Sequence, residues 1–532
     1  MVPELRPWRS ARPHLVRAAG AVRPRLARLG RAAGPRIARF TRATGPRLAR
    51  ITRPKTWQYT AGAATAGLAL AAGVVTAAGP WDSTGQRTAE RDRAVALEHT
   101  GGADHDRGSG GSGTAAGTPR PAPSAGAVLA GLGGATTPGG VKAAPGGEAL
   151  ADLLKPLLDD PALGTDRAAS VVDLTTGKRL YGLGGDVPLT PASTTKIATA
   201  VAALTVLGPD HRLTTRTALE ADTGEVVLVG GGDPTLTARA DAKGLASLRA
   251  LAEKTAAALK KRDLRKVTLS YDTTLYAGDE MHPIGVNENL ARVTALMADE
   301  ARTDDSTSGP AEREADPAAH AARAFAGFLK QHGITASAPG PSKATDRADT
   351  LATVSSPPLS ALVERMLTNS DNDLAEALAR HTAVAGGRPA DFDGASAAMK
   401  DRLKRLGLPV DGAALRDGSG LDRTDLVSAD LLTALLAEAA DPARPQLRPV
   451  LTGLPVAGFT GTLASRYSDG AAGVVRAKTG TLTGVNTLAG TVVTADGRLL
   501  GFAFMAHGTS DPQAAQSTLD RAATGLASCG CG

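Results

Sequence analysis

Between residue 82 and about residue 145 the chain is rich in Gly, Ala, Ser, Thr and Pro, with tracts such as Gly108-Ser109-Gly110-Gly111-Ser112-Gly113. Such a composition cannot bury enough apolar surface to offset the entropy of ordering, so the stretch reads as a flexible tether. The 532-residue chain leaves room for more than one domain, but its compact part is expected to run from 146 to 532.

Upstream of the tether the pattern changes twice. Thr60 to Gly79 is a run of twenty residues without a charge, which as a helix spans roughly 30 Å, the thickness of a bilayer's hydrocarbon core. Trp57, Tyr59 and Trp81 bracket it as interfacial aromatics would. Residues 57–81 are therefore expected to form a transmembrane segment or signal anchor. A cleavable signal is the rival, with Val75-Thr76-Ala77 as a small-residue cleavage site. Residues 1–56 form a basic arm in which Pro13, Pro24, Pro35 and Pro46 recur every eleven residues, each followed by a basic-apolar run. Short amphipathic helices of this kind suit an anionic membrane surface; a nucleic-acid partner is the weaker reading, and a disordered arm that only obeys topology rules is the plainest. An arginine excess on this side keeps the arm cytoplasmic and sends everything after Trp81 outside.

Charge supports the division. The arm holds 14 Arg and one Lys against Glu4, a charge of +14, which leaves −7 for the rest of a chain whose total is +7. A global nucleic-acid function is excluded there. Cys529 and Cys531 are the only cysteines, too close in sequence to staple a fold, and a frayed tail with little structural role is the favoured reading. The nine histidines show no metal-ligand spacing. No metal or cofactor is expected.

Within the compact part, Ser170 to Leu174 and Arg179 to Tyr181 flank Thr175-Thr176-Gly177-Lys178, a hairpin signal. Thr487 to Thr494 and Leu499 to Met505 flank a second turn with Asp496-Gly497 at its centre, and Asp511 to Ser528 reads as a closing helix. Strands at both ends with helices between predict an α+β fold, one antiparallel sheet covered by helices. The interval from about 211 to 350 is set apart as an insert; its strand-like Glu225 to Val229 leads into Gly230-Gly231-Gly232-Asp233-Pro234, which lacks the Gly-Lys-Ser/Thr of a phosphate loop.

Three short motifs carry chemistry. Ser193-Thr194-Thr195-Lys196 opens a helix whose apolar residues Ile197, Val201, Leu204 and Leu207 recur at helical spacing, so Ser193 and Lys196 share a face. A serine hydroxyl is a poor nucleophile until a base takes its proton, and lysine is that base only when neutral. The helix N-terminus adds free amides for an oxyanion. Ser370-Asp371-Asn372 reads either as an ordinary helix cap or as a proton-relaying hydroxyl beside a substrate-binding amide. Lys478-Thr479-Gly480-Thr481 reads either as a strand-end turn or as a strand edge where glycine lets a peptide lie close and Lys478 and Thr479 anchor a carboxylate.

Each motif alone has an ordinary structural explanation. Together and in this order they form one signature of penicillin-binding proteins and class A β-lactamases. From about 150 to 530 the chain resembles the serine D-Ala-D-Ala carboxypeptidase/endopeptidase family of low-molecular-mass class C penicillin-binding proteins. Asp417-Gly418-Ser419-Gly420-Leu421 and Leu454-Pro455-Val456-Ala457-Gly458 support the likeness. The resemblance implies a β-lactamase/transpeptidase-like domain with an inserted domain between Lys196 and Ser370. It implies Ser193 as acyl-enzyme nucleophile, Lys196 as its base, and Ser370 and Asn372 on one wall. Lys478, Thr479, Gly480 and Thr481 form the other, with the amides of Ser193 and Thr481 as the oxyanion hole. Peptidoglycan stem peptides and β-lactam antibiotics are the implied partners. The alternatives are a β-lactamase, which needs a deacylating base for which the sequence places no candidate acid, and a non-catalytic penicillin sensor.

Overall fold

The computed structural model describes residues 147–529, except 286, 338, 468 and 469. The expected basic arm, membrane segment and tether lie outside the described residues. No helix among the described residues is long and apolar enough to cross a membrane.

The described chain runs α1 (Gly147–Leu158), β1 (Asp166–Asp173), β2 (Arg179–Leu183), α2 (Thr195–Leu207), β3 (Thr214–Glu220) and β4 (Glu225–Val229). It continues through α3 (Leu248–Lys260), β5 (Lys266–Asp272), α4 (Pro317–Gln331), β6 (Thr335–Ala336), β7 (Gly340–Pro341) and β8 (Asp349–Ser355). The last part is α5 (Leu359–Asn369), α6 (Asn372–Ala385), α7 (Phe392–Arg405), α8 (Ala429–Ala440), α9 (Arg448–Thr452), β9 (Val475–Leu482), β10 (Val485–Val493), β11 (Leu499–His507) and α10 (Pro512–Ser528).

One sheet joins the two ends of this order. Its strands lie β2-β1-β11-β10-β9, all antiparallel, so both hairpins read from the sequence meet along β1 and β11. Side chains alternate across a strand, and here both faces are covered. Phe502 and Phe504 pack with Leu150, Leu154, Leu519 and Leu526 of α1 and α10. Ala503 and Met505 join the opposite core with Ile197, Val201 and Leu436. That is why β10 and β11 read as near-continuous apolar runs rather than as alternating ones.

A second sheet lies in the interval between α2 and α5, ordered β6-β5-β4-β3-β8 with β7 also on β5. It departs from the expected antiparallel pattern. β3 pairs antiparallel with β4 and β8, but β4 pairs parallel with β5, and β5 parallel with β6 and β7. A parallel pair needs a crossover, and α3 supplies it, burying Leu248, Leu251 and Leu259 against the sheet beside Phe325 and Leu329 of α4.

Of the two cysteines, Cys529 caps α10 and is buried in the same core as Phe502, which gives that residue a structural role; Cys531 lies outside the described residues.

Candidate active site

Helix α2 is buried on every side from Thr195 to Leu204, more than the one-sided stripe implied by the sequence. The reason is packing: α5, α6, α7 and α8 surround it, and Ala489, Ala503 and Met505 of the first sheet share its core. Lys196 therefore sits in an apolar helix with no exposed surface.

The turn that carries Ser193 is held from three directions. Ala192 adopts φ 49°, a left-handed conformation unfavourable for a residue with a side chain. The Pro191 carbonyl accepts from Thr487 Oγ1 at 2.8 Å and Thr194 Oγ1 at 2.7 Å, and the Thr190 carbonyl lies 2.9 Å from His507 Nε2. Gly420 and Gly480 then allow the turn to seat. A Cβ on Gly420 would stand 1.9 Å from the Ala192 carbonyl oxygen. One on Gly480 would stand 2.7 Å from that of Pro191 and 2.1 Å from Thr487 Oγ1. The backbone that Gly480 admits is thus the nucleophile's own turn.

Lys196 Nζ has three partners. It lies 2.9 Å from Ser193 Oγ, 2.7 Å from Asn372 Oδ1 and 2.6 Å from the Ser419 carbonyl oxygen. Burial lowers its pKa from the ordinary lysine value to about 8, against the opposing pull of Asp417, Glu376, Asp371 and Asp425.

Ser370 occupies the link between α5 and α6 with φ 58°, a left-handed helix end. Asp371 caps α6 by accepting from the Leu374 amide at 3.0 Å. The capping and the chemical readings of this motif are compatible, because the cap holds Asn372 in the first turn facing Lys196. Ser370 Oγ receives Lys478 Nζ at 2.9 Å, and Lys478 also donates to the Thr479 carbonyl at 2.7 Å. Lys478 is fully buried, and burial together with the Lys196 charge pushes its pKa well below the lysine range.

Strand β9 is the edge of the first sheet. Ala477 donates to the Pro455 carbonyl and Ala457 to that of Val475, each at 3.0 Å, so those β9 residues turn their main chain away from β10. Alternation gives Thr479 and Thr481 the same outward direction. Ser193, Ser370, Asn372, Thr479 and Thr481 line one cleft of about 350 Å³, together with Asn289, Thr462, Arg302 and Arg313. Thr462 Oγ1 meets Thr479 Oγ1 at 2.9 Å. The carboxylates lining the cleft are Asp371 and Asp373, held by Arg365 at 3.3 Å and Arg313 at 3.1 Å.

All three motifs therefore converge: Ser193, Lys196, Ser370, Asn372, Lys478, Thr479 and Thr481 border or underlie one cleft, and Gly480 seats it. Sequence reasoning missed the Ser419 carbonyl, Thr462, Asn289 and the two arginines. The Asp417 to Gly420 motif was visible, but a carbonyl's direction has no sequence signal. Asn289 and Arg302 fall in the stretch without periodicity.

Residues 150–308 and 303–526 match the model of the D-Ala-D-Ala carboxypeptidase 3 (S13) family. The chain is 37% identical over 401 residues to carboxypeptidase DacB of Mycolicibacterium smegmatis, covering 72% of this chain and 85% of that protein. It is 30% identical over 442 residues to the D-alanyl-D-alanine carboxypeptidase of Actinomadura sp. (strain R39), covering 67% and 80%. Penicillin binding protein 4 of Haemophilus influenzae shares the fold, with TM-score 0.58 and 22% identity over 70% of this chain and 97% of that one. A structure of the same protein complexed with a β-lactam gives TM-score 0.54 and 25% identity over the same shares.

Proposed function

The chain belongs to the D-Ala-D-Ala carboxypeptidase 3 (S13) family, and from that premise we propose that Ser193 attacks the terminal D-Ala-D-Ala bond of peptidoglycan stem peptides. The observation that carries this reading is the partner set of Lys196. Asn372 Oδ1 and the Ser419 carbonyl can only accept, whereas Ser193 Oγ can donate. A neutral amine has two hydrogens and one lone pair. The two hydrogens satisfy the two acceptors, and the lone pair is left facing the Ser193 hydroxyl.

The reaction follows from that orientation. As the Ser193 Oγ–C bond forms, its proton passes to Lys196 Nζ. The outward amide of Thr481 and the amide of Ser193 stabilise the oxyanion. The C–N bond to the leaving D-Ala breaks as a proton returns to nitrogen through Ser370 Oγ, which Lys478 orients. Water then attacks the ester by the same route, regenerating Ser193 Oγ–H. Thr479, beside Thr462, binds the substrate carboxylate. A β-lactam acylates the same serine but keeps its leaving group tethered in the cleft, and the cleft-lining carboxylates are committed to arginines. The adduct therefore persists, which disfavours a β-lactamase. The substrate includes D-amino cross-links if the open edge at Thr479 to Thr481 admits a longer leaving strand.

Incubation with a defined pentapeptide and a cross-linked dimer, followed by mass spectrometry, tests the reading. D-Ala release is expected, with kcat/KM rising about tenfold per pH unit below pH 8 and levelling above it, because only neutral Lys196 accepts the proton. Acylation by penicillin without any D-Ala release would instead identify a sensor.

For location we propose a bacterial cell membrane with the catalytic region outside, or a secreted form if the segment is cleaved. The arginine excess before Thr60 and the uncharged run after it support this. Protease added to intact cells should digest the catalytic region and spare the arm; protection of the catalytic region would refute it.

A further inference from the structure

The inserted segment does more than border the cleft. Between β5 and α4 the described loop residues 276–285 and 287–291 are pinned to the surrounding helices at several points. Buried Arg380 of α6 donates to the Ala277 carbonyl at 2.9 Å and the Asp279 carbonyl at 3.2 Å. Asp373 accepts from the Ala291 amide at 2.9 Å. Between these anchors the loop touches both acceptors of Lys196, one directly and one through a relay.

The direct contact concerns Asn372. Its Nδ2 donates to the Asn289 carbonyl at 2.8 Å. An amide held by its nitrogen on one side must turn its oxygen to the other, and that oxygen is the one facing Lys196.

The relay concerns Ser419. Its carbonyl belongs to the tight turn from Asp417 to Asp422, whose shape is set by carboxylates. Asp417 accepts from the Gly420 amide at 2.6 Å and the Asp422 amide at 2.7 Å. Glu376 accepts from the Gly418 amide at 3.1 Å and the Ser419 amide at 2.9 Å. Asp417 is in turn held by His282 of the loop, Nε2 to Oδ2 at 2.8 Å, with both side chains 1% exposed. The Ile284 amide donates to His282 Nδ1 at 3.2 Å, so Nδ1 carries no proton and Nε2–H is the donor to Asp417. The ring is wedged edge-on against Phe392, with centroids 5.3 Å apart.

We infer that His282 is a positioning residue: through Asp417 it sets the Ser419 carbonyl against Lys196, so that the inserted segment completes the socket of the catalytic base. The assignment rests on the proposed reading of Lys196 as base. Lys196 is faced by Asp417 and Asp425 from the loop before α8, by Asp371 and Glu376 from α6, and by Lys478 from β9. His282 is faced by Asp417, Glu376 and Asp422. Withdrawing the Nε2–H donor leaves Asp417 as a less neutralised charge near Lys196 and frees the Ser419 turn. The base then holds its proton more tightly and is aimed less well.

The experiment compares two polar replacements of different reach in the full chain. In His282→Gln the amide nitrogen falls where Nε2 stood; in His282→Asn it falls short, at the Nδ1 position. Acylation by a fluorescent penicillin is followed to completion across pH. The end point counts folded sites, and the rate per site reads the chemistry. His282→Gln is expected to keep the wild-type rate. His282→Asn should slow each site about tenfold or more and move the rising limb of the profile to higher pH, with the end point unchanged. Equal rates per site in both variants, whether both at wild-type level or both reduced, would overturn the inference. So would a reduced end point with an unchanged rate. The wild-type chain acylated at Ser193 in the same series reports on the catalytic reading separately.

Discussion

Ser193→Ala is expected to abolish covalent capture of penicillin, and Lys196→Ala to slow it by about 10³–10⁴-fold. The two losses differ in kind. Removing Oγ leaves no atom to form the ester. Removing Nζ leaves the hydroxyl in place but without a base, because the other groups around Nζ, Asn372 Oδ1 and the Ser419 carbonyl, are amide oxygens too weakly basic to take its proton. Lys196→Arg should fare no better than Ala, since a guanidinium remains charged at any working pH. Stopped-flow acylation of each variant, with unfolding curves as a control, checks the order. A Lys196→Ala variant within tenfold of wild type would move the base elsewhere, and Lys478, also buried and also held low, would be the next candidate.

The second large effect concerns stability. Arg313 and Asp373 form an ion pair at 3.1 Å with side chains only 2% exposed. Removing one partner from a buried pair strands the other charge and costs about 3–5 kcal/mol. Arg313→Ala should therefore destabilise the chain by that amount at pH 8. The sign of the pH dependence follows from Asp373, whose pKa burial already raises to about 6. Without the guanidinium it rises further, so the folded form binds a proton that the unfolded form does not. Stability is then regained as pH falls, and the deficit should shrink by pH 5. Denaturant unfolding at the two pH values checks it. An equal loss at both would point to lost packing rather than a stranded charge.

The parts of this site that were legible in the sequence are those fixed by short range. Ser193 lies in the helical turn that leads into α2, three residues before Lys196, and that spacing puts Oγ and Nζ on one face. Ser370 and Asn372 share one turn, and Lys478 and Thr481 one strand. What joins these pairs was not readable. Lys196 reaches Asn372 across 176 residues and Ser419 across 223, and no local period encodes a contact of that range. Gly480 shows the difference well. The need for a residue without a Cβ was evident, but the approaching backbone is that of Pro191, from the far end of the domain. The second sheet was hard for a related reason. β6 and β7 are two residues each, too short to show alternation, and β5 pairs in parallel with partners separated from it by whole helices. His282 sits in a loop with no period at all, so its burial against Asp417 belongs to tertiary structure alone.

The central claim is that one hydroxyl, at Ser193, carries the acyl group. Intact-mass analysis after penicillin treatment, followed by digestion and fragment mapping, measures this directly. The account predicts one added acyl mass per chain, located on the peptide containing Ser193 and stable over the time of the digestion, and no added mass on Ser193→Ala. An adduct mapping to Ser370 or to any other residue, or a full-mass adduct surviving in Ser193→Ala, would contradict it.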